Sequence, residues 1–343
     1  MVARVEPVCF KSLGRTQSCL ILLLNVIAAA PADKVGWPWK NDSPSIYSPS
    51  LTYPKISVVT PTFRHGRYLE ETMRSVLLQD YPNLEYIVID GGSKDETVEI
   101  LERYGKSVSY WVSEPDRGHA HALNKGFARS TGDILAWINA GDYYFPQALH
   151  RVAQAFQTFP EIDWIISAQP GRHQPDTGAF TYSMPGFSRA FFMAGGYLGF
   201  EAFSLGFIQQ ESTFWRKSLW EKAGGNINEA LCMANDFELW KKFFTYAKPA
   251  LVNAPLGCFR VHDEQRSATQ AALYKQEAWA CLQRAGNPRL SLAYRLYQKL
   301  RLHKLMEWRA WLKPFYGEKN QVLSLDSSGD NNGRLFCEWQ KLL

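Results

Sequence analysis

No Cys-x-x-Cys pair occurs among the six cysteines, Cys9, Cys19, Cys232, Cys258, Cys281 and Cys337. That excludes a zinc ribbon, and six cysteines in 343 residues are too few for a dense disulfide scaffold. Reduced thiols in a cytoplasmic protein are the expectation. No apolar run reaches the roughly 18–20 residues that a spanning helix needs. The Gly-x-Gly-x-x-Gly dinucleotide loop is also missing: Pro61–Gly66, which follows the first predicted strand, holds one glycine. Charge of one sign is scarce, with 38 basic and 33 acidic residues and a net charge of +5. Such a balance gives no footprint for nucleic acid, which is not an expected partner. No internal repeat is visible. A hydrophobic fraction of 46% against 21% charged residues excludes disorder as the main state.

Aromatic residues are plentiful, at 14% with 12 Trp. They predict a wide aromatic-lined binding surface or contact with a membrane interface. The length allows two or three domains, or one large α/β domain with additions.

The first 54 residues differ from the rest. Lys11 and Arg15 precede an apolar run, Cys19 to Ala30, ended by Pro31. This is a weak signal-peptide pattern; the reading preferred here is a non-native start or a short surface helix. Gly36 to Pro54 is rich in Pro, Ser and Trp and predicts an extended arm on the domain surface.

From Lys55 a regular alternation sets in. Strands are predicted at 56–60, 85–90, 108–112, 133–138 and 163–167, and helices at 68–78, 95–104, 118–129 and 146–158. The alternation predicts an α/β fold with a mostly parallel sheet covered on both faces. Ligands of such sheets bind at the carboxyl ends of the strands. The candidate site is therefore Pro61-Thr62, Asp90-Gly91-Gly92, Ser113 to Asp116, and Asn139 to Asp142. Gly171 to Gly206 reads as a mobile flap or acceptor-facing insertion. Further helices are expected at 218–223 and 236–246, and a strand at 256–261.

Several residue types in these places carry chemistry. A carboxylate beside glycines at a strand end, as at Asp90, can accept hydrogen bonds from a ribose or base, or can simply hold a turn. Asp236 opens a helix rich in Trp and Phe. It is either an N-cap or a partly buried general base. Arg260 can neutralise phosphate, and His262 can ligate a metal or be structural. His119 and His121 point in different directions and read as solvated or helix-local.

Together these segments resemble the family 2 glycosyltransferases of bacterial polysaccharide synthesis. The matching pieces are Lys55 to Phe63, Leu84 to Ser93 with Asp95, and Ser113 to Gly118 with Ala122, Asn124, Lys125 and Gly126. Gly132 to Asn139, Gln209-Gln210 with Thr213 to Arg216, Asn235 to Trp240, and Phe259 to His262 with Ser267 continue the series. The resemblance spans about residues 36 to 270. It implies a GT-A fold and inverting transfer from a nucleoside-diphosphate sugar to a glycan or lipid-linked acceptor. It implies that Pro61, Thr62, Asp90 and Asp116 hold the nucleotide and that Asp236 is the catalytic base. Asn139, Lys125 and Arg260 belong to the donor side. The metal and diphosphate motif of this subgroup usually reads Asn-Ser-Asp-Asp; here it reads Asn139-Ala140-Gly141-Asp142. One acidic position is lost, which leaves Asp142 with His262 for a divalent ion, Mn²⁺ or Mg²⁺. The other readings are a catalytically weak or inactive sugar-nucleotide-binding relative, and a nucleotidyltransferase.

Three segments follow: an N-terminal extension over 1–54, a glycosyltransferase domain over 55–270, and a basic helical tail over 271–343. Arg289 to Lys313 holds seven Lys/Arg and one acidic residue, Glu307. An apolar stripe ends near Trp308 and Trp311. This predicts either a helix on an anionic membrane surface or one packed on its own domain. The expected location is cytoplasmic, peripheral to the inner membrane face in the first case.

Overall fold

The computed structural model describes residues 27, 29–40, 52–184, 186–199, 206–263, 265–283, 322–323 and 335–336. Strand β1 (Ile56–Thr62) is buried at every position, as its run of β-branched residues requires of a central parallel strand. Helix α1 (Gly66–Leu77) leads to β2 (Leu84–Asp90), which pairs in parallel with β1 in a register that sets Thr62 opposite Asp90. Helix α2 (Thr97–Tyr104), β3 (Tyr110–Ser113), α3 (His119–Phe127) and β4 (Ile134–Trp137) continue the alternation. Both β3 and β4 run parallel to their neighbours, β2 and β1. Thus the carboxyl ends of four strands face one side. Helix α3 lies close on β1 because Gly126 has no Cβ; one placed there would sit 2.3 Å from Cγ1 of Val59.

The two-residue strand β5 (Tyr143–Tyr144) precedes α4 (Ala148–Thr158) and β6 (Trp164–Ser167). Then come β7 (Gly171–Gln174), β8 (Gly178–Thr181) and the short helix α5 (Arg189–Met193). Strand β9 (Thr213–Arg216) follows a 3₁₀ turn at Gln210–Ser212 and lies antiparallel between β4 and β6. Helices α6 (Lys217–Lys222) and α7 (Asn235–Tyr246), strands β10 (Ala250–Val252) and β11 (Gly257–Arg260), and helices α8 (Arg266–Thr269) and α9 (Ala271–Gln283) complete the body. Short strands β12 (Val322–Leu323) and β13 (Leu335–Phe336) extend one edge. The main sheet runs β13-β12-β10-β6-β9-β4-β1-β2-β3, and a second sheet runs β5-β11-β7-β8.

The segment from Gly171, expected to be a mobile flap or an acceptor-facing insertion, holds regular structure: β7 and β8 form a hairpin in the second sheet, and Phe187, Phe191, Phe192, Tyr197 and Leu198 are buried. Residues 36–40 form turns rather than an extended arm. The buried Arg74 donates from Nε to the Pro38 carbonyl and from Nη2 to the Trp39 carbonyl, while the Trp37 indole donates to the Tyr144 carbonyl at 2.7 Å. Trp137, Trp164, Trp215 and Trp240 are buried in the core, and Trp137 also lines the cavity at the strand ends. Trp240 of α7 stacks on Trp137 and Trp164 at ring separations of 5.8 and 5.6 Å, and Trp215 meets both Trp137 and Trp240 edge-on. Helix α9, assigned by sequence to the tail, puts Tyr274, Ala278, Cys281 and Leu282 into this core. The described cysteines, Cys232, Cys258 and Cys281, are free thiols. Among the described residues no helix is long and apolar enough to cross a membrane. The predicted helix over 289–313 lies outside the described residues.

Candidate active site

A cavity of about 950 Å³ opens at the carboxyl ends of β1 to β4. One end is built from β1 and the loops after β2 and β3. Pro61 and Thr62 line it, and the Thr62 hydroxyl is buried without a protein partner. Asp116 lines it too, with Oδ1 accepting from the Gly118 amide at 2.7 Å. Gly91 makes room for this carboxylate, because a Cβ there would lie 3.0 Å from Oδ2 of Asp116.

Asp90 is fully buried and forms no part of the cavity wall. Its carboxylate accepts from the hydroxyls of Ser93 and Ser113 and from the amides of Gly92 and Ser93. Of its two sequence readings, the geometry gives it the turn. Lys125 also lies off the wall, with Nζ paired to Glu114 at 2.6 Å. Neither residue lines the cavity in this structure.

The second sheet assembles the middle of the cavity. By pairing with β5, β11 brings Arg260 against the loop 139–142. The Arg260 amide donates to Oδ1 of Asp142 at 3.0 Å, and its Nε donates to the Gly141 carbonyl at 2.8 Å. Its Nη2 is paired with Glu71, and its plane lies over Tyr68 and Tyr143. Asn139 donates to Asp142 and to Oε1 of Gln210, and accepts at 2.9 Å from Nε2 of His119. His119 is thus part of the site rather than solvated. Burial pushes its imidazole pKa down, so the ring is a neutral donor near pH 7. His121 is helix-local, as expected, accepting from the Arg117 amide.

Asp142 is buried, and burial raises its pKa to about 6 against the opposing Arg260 amide. Gly141 has φ +134°, and the space beside it is open, with Nε2 of His262 and Cδ2 of His65 at 3.9 and 4.0 Å from an ideal Cβ. Among the described residues no group of three His, Cys, Asp or Glu could enclose a metal. Asp142 and His262 therefore fit a divalent ion only if a ligand's own phosphates supply further oxygens.

Asp236 also lines the cavity, from the first turn of α7. It is not the N-cap. The amides of Cys232, Met233 and Ala234 all donate to the Glu277 carboxylate of α9, at 2.8 to 2.9 Å. Asp236 accepts from its neighbour Phe237 and from the Tyr274 hydroxyl. Burial raises its pKa to about 6 against these bonds. A carboxylate with that pKa is a competent base near neutral pH.

Sequence reasoning missed Glu211. It follows Gln210, whose amide is fixed to the Trp137 carbonyl, and it lies buried in the cavity wall. Burial, then the charges of Asp142 and Asp236, push its pKa well up. The available signal was a lone acid between Ile208 and Phe214, inside a segment already matched for its glutamines.

Residues 57–213 match the model described as glycosyl transferase family 2. An uncharacterized glycosyltransferase of Rickettsia typhi is 27% identical over 232 residues, covering 67% of this chain and 70% of that protein. One of Mycobacterium tuberculosis is 40% identical over 92 residues, covering 26% of this chain and 35% of its own. The chain thus spans about a third of that second relative. The solved structure of S. aureus TarS 1-349 in complex with UDP-GlcNAc is similar at TM-score 0.52 and 16% identity, over 66% of this chain and 64% of that one. At that identity the likeness concerns the fold. With the ordered strand-end motifs and a GT-A-like sheet on the page, residues 57–213 carry a glycosyl transferase family 2 domain, and the relatives that resemble this chain are named glycosyltransferases.

Proposed function

We propose that the protein is an inverting enzyme that moves a sugar from a nucleoside-diphosphate donor to a glycan or lipid-linked acceptor of cell-surface polysaccharide. The observation that carries this reading is that one cavity is lined both by Asp236, a carboxylate with a pKa of about 6, and by Arg260 with Asp142. The unpartnered Thr62 hydroxyl and the Asp116 carboxylate offer a nucleoside its hydrogen bonds.

Charge dictates the roles. As the glycosidic bond breaks, negative charge grows on the diphosphate and positive charge on the anomeric carbon. Asp236 takes the acceptor hydroxyl's proton as that oxygen attacks the opposite face, and one displacement inverts the centre. The Arg260 guanidinium, held by Glu71 and Gly141, offers a positioned cation at the leaving-group end. Asp142 and His262 would hold a divalent ion, Mn²⁺ or Mg²⁺, which supplies further positive charge to the diphosphate.

Purified protein assayed for hydrolysis and transfer over UDP-, GDP- and dTDP-sugars tests the reading. Turnover of one donor, lost in Asp236→Asn with donor binding kept, is expected. Binding without turnover would mark a sugar-nucleotide-binding relative, and release of pyrophosphate from a nucleoside triphosphate would mark a nucleotidyltransferase. We also infer attachment to an anionic membrane face through residues 289–313, each basic side chain contributing on the order of 1 kcal/mol. Flotation with anionic vesicles, weakened by salt, is the expected result; no flotation at low salt would overturn it.

A further inference from the structure

Glu211 is 3% exposed, its Oε1 has no hydrogen-bond partner, and it lines the cavity. A buried carboxyl left unmade is costly, and natural folds seldom keep one without a use. Its backbone is also fixed with unusual care. Ser212 on one side exchanges hydrogen bonds with Gly257: its hydroxyl donates to that carbonyl at 3.1 Å and accepts from that amide at 3.2 Å. Gln210 on the other side is tied to Trp137 and Asn139. Gly257 packs directly on the Glu211 carbonyl, where any Cβ would collide. The 3₁₀ turn is thus clamped between the ends of β4 and β11, and it presents one carboxyl to the cavity without choice of place.

Asp142 and Asp236 line the same cavity as Glu211, and the charge of each bears on it. Under the function proposed above, Asp142 marks the diphosphate end and Asp236 the face from which the acceptor attacks. Between a leaving diphosphate and an attacking hydroxyl lies the sugar being transferred. Tyr182 and Arg172, from the β7–β8 hairpin and the residue after it, line the same cavity. We infer that Glu211 is a specificity-determining residue which hydrogen-bonds hydroxyls of the transferred sugar. Two nearby carboxylates exclude a sugar that carries its own acid group, so the sugar is a neutral, hydroxyl-rich one. A carboxyl built to meet a particular hydroxyl discriminates strongly against the epimer that lacks it there, because the buried group is then left unpaired.

The inference rests on the glycosyltransferase reading, and the experiment separates the two. Binding of UDP, GDP and dTDP is measured by calorimetry beside UDP-glucose, UDP-galactose, UDP-N-acetylglucosamine, UDP-glucuronate, GDP-mannose and dTDP-rhamnose. The proteins are the wild-type chain, Glu211→Gln and Glu211→Leu. Wild type is expected to bind one neutral sugar nucleotide at least tenfold tighter than its bare nucleotide, and UDP-glucuronate no better than UDP. Glu211→Leu is expected to bind the bare nucleotide within twofold of wild type and to lose the sugar's increment. Glu211→Gln should keep part of it and discriminate less between glucose and galactose. Both variants should melt no lower than wild type, since a desolvated acid has been removed. An unchanged sugar increment in Glu211→Leu overturns the assignment alone. An equal loss for bare and sugar nucleotides would place Glu211 at the diphosphate and also overturn it. No nucleotide binding by wild type would overturn the underlying reading as well.

Discussion

A carboxylate that serves as a base near neutral pH must be poorly solvated, and the fold carries the cost. Burial raises the Asp236 pKa from an ordinary carboxylate value to about 6. The sign follows directly: a raised folded-state pKa favours the protonated native form, so stability is highest below the unfolded pKa and falls as pH rises through about 6. Asp236→Asn removes that loss. It is expected to raise the melting temperature at pH 8, by up to about 3 kcal/mol of stability, and to leave it little changed at pH 4. The same variant should lower turnover by roughly 10²–10⁴-fold. Wild-type turnover should climb with an apparent pKa near 6 and level off above it, read from a pH–rate profile with saturating donor. Gly141 offers a second residue-scale test. Space beside it is open, but φ is +134°. Gly141→Asp should therefore cost about 1–2 kcal/mol in denaturant unfolding from backbone strain alone. Its acid would face His262 and His65, so divalent-ion affinity measured with bare UDP should tighten. A variant as stable as wild type would show that the turn relaxes.

Helix α7 illustrates how an element is prepared for one side chain. The amides of the three residues before it are satisfied by Glu277 from α9, while Asp236 accepts from Phe237 and lines the cavity. Glu277→Ala is expected to lower stability by about 2 kcal/mol and to reduce turnover, while donor affinity changes little. Four residues on from Asp236, Trp240 is sandwiched between Trp137 and Trp164 and anchors the helix to the sheet. Trp240→Ala should cost about 3–5 kcal/mol in urea unfolding. Elements of this kind were easy to find in sequence when their apolar period was long. Predicted and observed spans agree closely for α1, α4 and α7. The sequence shows no signal for β5, β7, β8, β9 and β10, whereas β3, β4, β6 and β11, of four residues each, carry apolar runs that it does show.

Over the whole molecule, Ile27 and residues 37–39 belong to the body. Pro38 and Trp39 accept from the buried Arg74, and Ile27 and Trp37 pack on the core. Deleting residues 1–40 should destabilise the chain by on the order of 2 kcal/mol, because a desolvated guanidinium loses acceptors. A melting temperature unchanged by the deletion would show that water replaces them fully. The active cavity likewise belongs to no single segment. It joins segments near residues 61, 116 and 139 to α7 and β11, which lie 96 or more residues further along the chain.

The amino-acid sequence alone determined the alternating order of strands and helices, the strand-end positions of Thr62, Asp116, Asn139 and Asp142, and the family resemblance. These follow from local periodicity and from short motifs, which need no knowledge of what lies across the sheet. Only the tertiary structure decided between paired readings of the same residue. Asp90 holds a turn because Ser113 of the next strand and Ser93 fill its oxygens. Asp236 lines the cavity with its carboxylate bonded to Phe237 and Tyr274, while Glu277, forty-one positions later, takes the amides before its helix. Glu211 became legible only once β9 entered the sheet antiparallel and Gly257 closed over its backbone. Desolvation and hydrogen-bond supply are properties of a folded neighbourhood, and they fix which carboxylates are structural and which remain for chemistry.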